Sequence, residues 1–459
     1  MKFNIRNAAA ALSAFGLVAL SGAAMATNGY FTHGVGTESK GMAGTGVGSN
    51  AASGPIIAAS NPALAVFADD NWEVGLSIFS PLRSYEIGAS FAQGQMGAFS
   101  LGNGSADSFD SSSNAFPIPY VAKNWRLSND NVLAFAFYGR GGMNTDWDDS
   151  DQFAMLDPDG PLGPAPVDAY PGTFGGGDAG VDLSQAFLAL NYAGQAGDNF
   201  AWGFGPIFAV QMFEARGLQN FAGFTHTFAS SGMTQFPENL TNNGHDTSTG
   251  FGFAGGVWWA MGDVVSAGLS YQSKMGMSEF KDYSDLFAED GGFDIPASFK
   301  FGLSFAGMNN ARLNFDIEHT QFGDVDSVGN PQSGLFACVG GDVESCLGGK
   351  TGAGFGWDDM TTYKLGMEWT ANDTMTWRFG YSYGEQPIHP DDVVFNILAP
   401  GVMEQHITFG FTKSKPNGGA WNVSFMYAPE HSVKGINPFD GQSVEIEMKQ
   451  FEFEVSYLW

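Results

Sequence analysis

One stretch of the chain has the residue spacing of a serine hydrolase. Gly380, Ser382 and Gly384 form a Gly-x-Ser-x-Gly pattern, which in hydrolases lies on a sharp turn between a strand and a helix. Here the pattern overlaps the segment from Met375 to Tyr383, where aromatic and polar residues alternate as they do along a strand. A serine within a strand lacks the exposed position that a nucleophile needs. We therefore expect no enzymatic activity and keep a lipid esterase or deacylase as an alternative.

Acidic residues and cysteines are the other candidates for chemistry. Aspartates are frequent from Asp146 to Asp159 and could supply the oxygen ligands that calcium prefers. The glycine-centred spacing of a calcium-binding loop is missing, which favours a solvated loop. The two cysteines, Cys338 and Cys346, fall in one long connection, and thiols in an oxidising compartment usually pair. We predict a disulfide between them, no metal site and no cofactor.

The first 26 residues have the features of a secretory signal peptide. Lys2 and Arg6 give a positive start, residues 8–20 are apolar, and residues 24–26 read Ala-Met-Ala. Small residues at positions 24 and 26 are typical of a signal peptidase cleavage site. We predict cleavage near Ala26, which places the mature protein outside the cytoplasm.

Composition narrows the class of the mature chain. The sequence has 48 acidic and 19 basic side chains, a net charge of −29, whereas nucleic-acid binding needs a basic surface. Only 15% of the residues are charged, while 64 are glycine and 42 are phenylalanine. After the signal peptide, no apolar run approaches the ~18 residues of a membrane helix. A helical membrane protein is therefore excluded, but a β-barrel, whose apolar residues alternate with polar ones, is not.

From Trp72 onward, segments with a period of two repeat along the chain. In the last segment Phe451, Phe453 and Val455 alternate with polar residues, which gives a strand one aromatic and one polar face. Six short turns and seven long loops connect these segments, which predicts 14 strands. Short turns at one end, long loops at the other and an even strand number are typical of outer-membrane barrels. We predict an all-β chain, with a transmembrane antiparallel β-barrel over residues 71–459; a soluble all-β protein is the alternative.

Residues 27–70 differ from the segments that follow. Glycines such as Gly41, Gly44 and Gly46 stand among other small residues without strand alternation, so a surrounding structure must order them. A barrel of 14 strands leaves an open lumen unless something fills it. We predict that residues 27–70 form a plug inside the lumen. The charged inward positions leave a general porin for polar solutes as an alternative.

Five segments of the chain, the last strand among them, resemble the FadL/TodX outer-membrane transporters of hydrophobic compounds. The N-terminal hatch of that family is similar to the Gly-Met-Ala-Gly-Thr-Gly run at 41–46 and to Ser-Asn-Pro-Ala-Leu-Ala-Val-Phe at 60–67. Phe-Pro-Ile-Pro-Tyr at 116–120, Asp-Ile-Pro-Ala-Ser-Phe-Lys-Phe-Gly at 294–302 and the strand ending in Trp459 are also similar. The resemblance implies passive movement of long-chain fatty acids or aromatic hydrocarbons across the bacterial outer membrane. It further implies capture by extracellular loops, gating by the plug and lateral exit at a kink in the third strand.

Each implied role has candidate residues in this chain. Loop capture is assigned to the apolar loop 220–236, with 281–287 as a second candidate helix, and its ligand-binding residues are Phe221, Phe224 and Phe228. The kink is assigned to Gly139, Gly141 and Gly142, and gating to Tyr30, Phe31, Met42, Asn61 and Pro62. By parity Arg140 faces the lumen, where it could bind a fatty-acid carboxylate. The expected partners are a hydrophobic small molecule and outer-membrane lipid, with no nucleic acid, and the expected state is a monomer.

Overall fold

The computed structural model describes residues 27–90, 99–102, 105–148, 153–156, 168–416 and 418–459. The predicted signal peptide and part of the aspartate-rich loop lie outside the described residues. Within the described part of the chain, no helix is long and apolar enough to cross a membrane.

In the described part of the chain, fourteen long strands form one closed antiparallel barrel, which confirms the predicted fold class and strand number. Each strand pairs with its neighbours in the chain, and the first pairs with the last over 15 residues, from Glu73–Leu458 to Ile87–Val444. In chain order the strands are β1 Trp72–Ile87, β2 Phe116–Arg126, β3 Val132–Asn144, β4 Gly180–Gln195, β5 Phe200–Arg216, β6 Asp246–Ala260, β7 Val265–Gln272, β8 Ser298–Met308, β9 Ala311–Thr320, β10 Met360–Asn372, β11 Met375–Gly384, β12 Gln405–Ser414, β13 Ala420–Ile436 and β14 Ser443–Leu458.

The connections alternate in length as the sequence predicts, with one exception. The long loop predicted near 430–447 is wrong, because β13 and β14 extend into it and only residues 437–442 connect them. Short turns follow β2, β4, β6, β8, β10 and β12, so they share one end of the barrel. The long connections at the other end contain short strands at Phe99–Leu101, Asp107–Asp110, Phe153–Leu156, Asp168–Pro171 and Gly276–Met277. They also contain short helical segments at Gln219–Phe224, His226–Ser230, Lys281–Tyr283, Ala288–Gly291, Phe322–Asp324, Asp326–Gly329, Gly334–Val339, Val343–Ser345, Pro390–Asp392 and Val393–Asn396.

The long connections fold over their end of the barrel and build a hydrophobic core there. Trp147, Phe174, Phe280 and Phe293 are fully buried, and they join one apolar cluster with inward side chains of the strands, such as Phe79. The chain therefore has a core of its own above the barrel, in addition to the apolar outer face that a membrane would cover.

The two faces of each strand differ in polarity, as the alternation in the sequence predicts. Outward side chains such as Phe204, Phe251 and Leu365 are 58%, 65% and 53% exposed, and this apolar outer surface suits lipid. Inward side chains such as Glu452 and Lys364 are buried although they are charged. Burial of charged groups on this face means that something fills the lumen.

Residues 27–70 occupy the lumen and are called the plug below. They contain short helices at Thr37–Lys40, Pro55–Ala59 and Pro62–Val66, and nearly all residues from 27 to 49 are buried. We call residues 27–32 the plug tip and residues 33–66 the plug body.

Candidate functional site

Charged side chains of the wall hold the plug body. The Lys40 ammonium forms ion pairs with two glutamates of β14, Glu452 and, at 2.6 Å, Glu454. Arg378 of β11 forms an ion pair with Glu38 of the plug at 3.3 Å. All five side chains are buried. Because a buried charge without its partner is strongly unfavourable, these pairs fix the position of the plug body.

A second cluster of charges surrounds Glu318 on β9. Its carboxylate lies 2.6 Å from Lys364, 2.8 Å from Arg140 and 3.1 Å from Lys300. Lys364 also donates a hydrogen bond to the carbonyl oxygen of His33 in the plug, at 2.8 Å. Arg140 thus faces the lumen, but its guanidinium is already bound by a carboxylate of the protein.

Glycines on the inward face of the wall allow the plug to approach closely. A Cβ atom at Gly268 of β7 would lie 2.0 Å from the Val47 carbonyl oxygen, and one at Gly302 of β8 would lie 2.7 Å from the Gly48 nitrogen. Similar contacts of 2.0–2.5 Å would arise at four more inward glycines, Gly203, Gly256, Gly366 and Gly380. We call these six wall residues the glycine belt. Any side chain at these positions would displace the plug or the wall.

Three of the predicted gating residues lie at this interface. Met42 packs against two glycines of the belt. The Asn61 side chain donates to the carbonyl oxygens of Val47 and Val257, at 3.0 and 3.2 Å, and caps the short helix Pro62–Val66. These contacts fasten the plug body to itself and to β6.

The plug tip pairs with the third strand. The Gly142 N–H donates to the Tyr30 carbonyl oxygen at 3.0 Å, and Phe31 forms an isolated bridge with Gly141. The register between β3 and β4 shifts between Gly139 and Gly141, so β3 has a bulge where the tip binds. A bulge leaves backbone groups outside the regular ladder and bends the strand. The structure thus brings together the residues assigned to the kink and two of those assigned to gating.

Aromatic rings close the lumen around the tip. The Tyr30 ring lies 5.0 Å from Phe31, 6.1 Å from Phe293, 5.0 Å from Phe322 and 5.8 Å from Trp357, measured between ring centroids. All five side chains are at most 2% exposed. We call these five residues the tip cluster. The cluster adjoins the bulge of β3, because Phe31 pairs with Gly141.

An apolar cavity of about 40 Å³ lies among the long connections. We call it the loop cavity. Several connections far apart in sequence contribute to it, and its aromatic lining residues are Phe174, Phe213, Phe221, Phe287, Phe355 and Phe395. Sequence reasoning identified Phe221 alone among these six as a ligand-binding residue.

The three phenylalanines predicted to bind ligand have different environments. Phe221 lines the loop cavity. Phe224 packs beside it, with ring centroids 6.4 Å apart. Phe228 instead packs against Phe236 at 5.2 Å, and the side chain of Phe236 is 71% exposed. The predicted capture loop therefore reaches from the cavity to the outer surface.

A smaller cavity of about 10 Å³, which we call the inner cavity, lies next to the tip cluster and the loop cavity. Trp357 of the tip cluster lines this inner cavity, and so does Ala399, which follows Leu398 of the loop cavity in the chain. Among the described residues, the remaining lining is mostly apolar and includes the charged side chain of Arg83 on β1.

Arg83 differs from the other buried cations of the lumen. Its guanidinium donates to the carbonyl oxygens of Asn144 and Ser113 and lies 5.7 Å from the centre of the Phe116 ring. Within the described residues it forms no ion pair, and its Nε atom has no hydrogen-bond partner. Sequence reasoning missed this residue, although the period of two along β1 would have placed it on the inward face with Phe79.

The hydrolase-like pattern lies against the plug. Ser382 Oγ is 3.0 Å from His406 Nδ1, and both side chains are fully buried. The serine lies within β11 instead of on a turn. His406 Nε2 has no hydrogen-bond partner among the described residues.

The other chemical candidates lie in the long connections. Cys338 and Cys346 form a disulfide. From the aspartate-rich run, Asp146 forms an ion pair with Arg216 at 2.8 Å, while Asp157 and Asp159 lie outside the described residues. No group of three metal-ligating side chains occurs in the described ranges.

A closed barrel whose lumen is filled by its N-terminal segment defines a plugged barrel of the outer-membrane type. The chain belongs to the outer membrane protein transport protein family (OMPP1/FadL/TodX), whose profile matches residues 167–412.

Three solved structures illustrate the fold. The chain is similar to the P. putida toluene transporter TodX, with 16% identity and a TM-score of 0.60 over 93% of this chain and 98% of that one. A Pseudomonas aeruginosa FadL homologue has 16% identity and a TM-score of 0.61 over 94% and 99%. The Ralstonia pickettii toluene transporter TbuX has 13% identity and a TM-score of 0.55 over 92% and 98%. Curated protein sequences give no significant match.

Proposed function

We propose that the chain is a passive channel for hydrophobic small molecules such as fatty acids or aromatic hydrocarbons. The observation that carries this proposal is the apolar loop cavity above a lumen that the plug fills. A general porin needs an open aqueous lumen, so the filled lumen disfavours that alternative. Among the structural relatives, TodX is a toluene transporter and CymD a monoaromatic hydrocarbon channel, which supports hydrocarbons as one ligand class.

The first step of the proposed route is capture by the long connections. Met233 and Phe236 are 73% and 71% exposed, and apolar side chains on an outer surface favour contact with apolar molecules. The loop cavity, about 40 Å³, is much smaller than the ~150 Å³ cavity that accepts benzene in another protein. A ligand must therefore push rings such as Phe221 apart to enter.

The second step leads from the inner cavity to the membrane. The plug tip is held by backbone pairing and by ring contacts, whereas the plug body is held by buried ion pairs. The tip can therefore move while the body stays in place. Its displacement frees the backbone groups at the bulge of β3, where we propose that the ligand leaves sideways.

A polar ligand head would meet Arg83 in this route. Arg140, the residue predicted for this role, has a nitrogen without a partner (Nη1) but is paired with Glu318. Arg83 lines the inner cavity, has an unpartnered Nε and forms no ion pair among the described residues. A carboxylate would supply a charge-assisted hydrogen bond there. We propose that fatty acids and hydrocarbons both pass and that Arg83 favours the acids.

Uptake of two probes tests these proposals. Cells with the protein in their outer membrane should take up radiolabelled toluene and dodecanoate faster than cells without it. Arg83→Gln should lower dodecanoate uptake about tenfold, because an ionic hydrogen bond is worth ~1.5–3 kcal/mol, and leave toluene uptake unchanged. Arg312→Gln, which alters a half-exposed inward arginine near the short turns, should change neither.

The outcomes separate the two claims. If neither probe enters faster than in cells without the protein, the channel proposal is wrong. If Arg83→Gln lowers both probes equally, the channel stands and the assignment of the ligand head is wrong.

We propose no catalytic role for Ser382. The residue is fully buried beneath the plug, and no carboxylate contacts its neighbour His406 within the described residues. Ser382→Ala should leave the uptake of both probes unchanged. Hydrolysis of a lipid ester by the wild type, lost in Ser382→Ala, would contradict this.

A further inference from the structure

Two buried histidines meet at the contact between the plug and the wall, and we propose that protonating them loosens the plug. His33 belongs to the plug body and His406 to β12. Their rings are stacked, with centroids 5.7 Å apart and planes inclined by 15°. Both side chains are 0% exposed. The stack is therefore part of the contact that keeps the lumen closed.

Charged groups from the plug, β10 and β14 face this stack. Lys364 donates to the His33 carbonyl oxygen at 2.8 Å. His33 Nε2 lies 3.4 Å from the Lys40 carbonyl oxygen, and His33 Nδ1 lies 3.4 Å from Glu452 Oε2. The carboxylates paired with the two lysines are Glu318, Glu452 and Glu454. On β11, the hydroxyl group of the neutral Ser382 forms a hydrogen bond with His406 Nδ1.

This environment suits neutral imidazoles. Burial lowers the pKa of His33 to about 4, against the opposing effect of Glu452 and with further lowering by Lys40 and Lys364. A proton on His406 would place a second positive charge on the facing ring. Like charges a few ångströms apart in a desolvated site repel strongly.

The direction of the pH effect follows from linkage. In a displaced plug His33 meets water, where its pKa is about 6.5. Between the two values the displaced plug binds more protons than the docked plug, so a falling pH favours displacement. The contribution of neutral His33 to docking is complete above about 6.5 and is lost progressively as the pH falls towards about 4. This inference concerns the closure of the lumen and is independent of the ligand class.

Sugar entry into proteoliposomes tests the inference. The mature full-length protein is reconstituted, and arabinose entry is followed by light scattering at about pH 7 and about pH 4.5. We expect entry through the wild type to rise about tenfold at the lower pH and to return on neutralisation. In the double variant His33→Asn/His406→Gln, the rise should fall below about twofold, because neither side chain can be charged.

A matched control changes a histidine of the outer wall. His319 of β9 is 40% exposed at its side chain and lies away from the plug, so His319→Gln should respond like the wild type. Wild-type entry that does not change with pH would overturn the inference, and so would a double variant that responds fully. Circular dichroism at both pH values monitors the barrel; loss of the strand signal at the lower pH would assign the leak to unfolding and also overturn it.

Discussion

The plug body and the loop cavity close the same channel by different physical means. Around the plug body, buried ion pairs and the glycine belt fix one position, and breaking these contacts leaves charges and polar groups without partners. Around the loop cavity, aromatic side chains fill the space, and an apolar ligand can replace their mutual contacts with contacts of the same kind. We therefore expect the plug body to exclude water and polar solutes and the loop cavity to admit hydrophobic molecules.

Removing most of the plug should cause the largest change in the entry of polar solutes. Deletion of residues 31–59 removes Lys40, Phe31 of the tip, and the contacts that Met42, Val47 and Gly48 make with the glycine belt. Arabinose entry into proteoliposomes should rise by on the order of 100-fold, because an unfilled barrel of this size is an open channel. If an intact barrel without these residues stays closed to arabinose, the long connections alone seal the lumen and the plug body has no such role.

A valine at one position of the glycine belt should raise arabinose entry, but less than deletion of the plug does. Gly268→Val would force the plug away from β7, because even a Cβ would lie 2.0 Å from the Val47 carbonyl oxygen. Overpacking of this kind costs about 1–3 kcal/mol, so we expect arabinose entry to rise about tenfold. Gly255→Val is the matched control on β6, since a Cβ there would have no atom within 4 Å. Equal leakage from both variants would argue against close plug contact.

A change in the loop cavity should have the smallest effect and should alter hydrophobic uptake only. Phe221→Ala removes one ring of the lining, and we expect toluene uptake to fall about threefold while arabinose stays excluded, because the plug body is untouched. Phe236→Ala, at a ring that is 71% exposed, should lower uptake less. Arabinose leakage through Phe221→Ala would show that the two regions are not independent.

Local patterns in the sequence predict the barrel well. The alternation at Phe451, Glu452, Phe453 and Glu454 depends on neighbours in the chain, and so does the difference between short turns and long loops. Both features therefore predict the strand number and the face on which each residue lies. The same rule would have placed Arg83 on the inward face if it had been applied to β1.

Contacts between distant segments could not be predicted in this way. The loop cavity brings together Phe174 and Phe395, which are separated by more than 200 residues. Arg140 has a suitable parity, but no local pattern reveals that Glu318 of another strand neutralises it. Glycines at inward positions, such as Gly302 and Gly366, are visible in the sequence, yet their role depends on which plug residues lie against them.

The seam between β1 and β14 places a condition on biogenesis. Trp72 and Trp459 exchange backbone hydrogen bonds there, so the ring of strands is complete only when the end of the chain is in place. Lys40, which precedes every strand, is held by Glu452 and Glu454 of the final strand. The ion pairs that hold the N-terminal segment can therefore form only when the last strand is in the barrel, so we expect substitutions at these two glutamates to slow maturation.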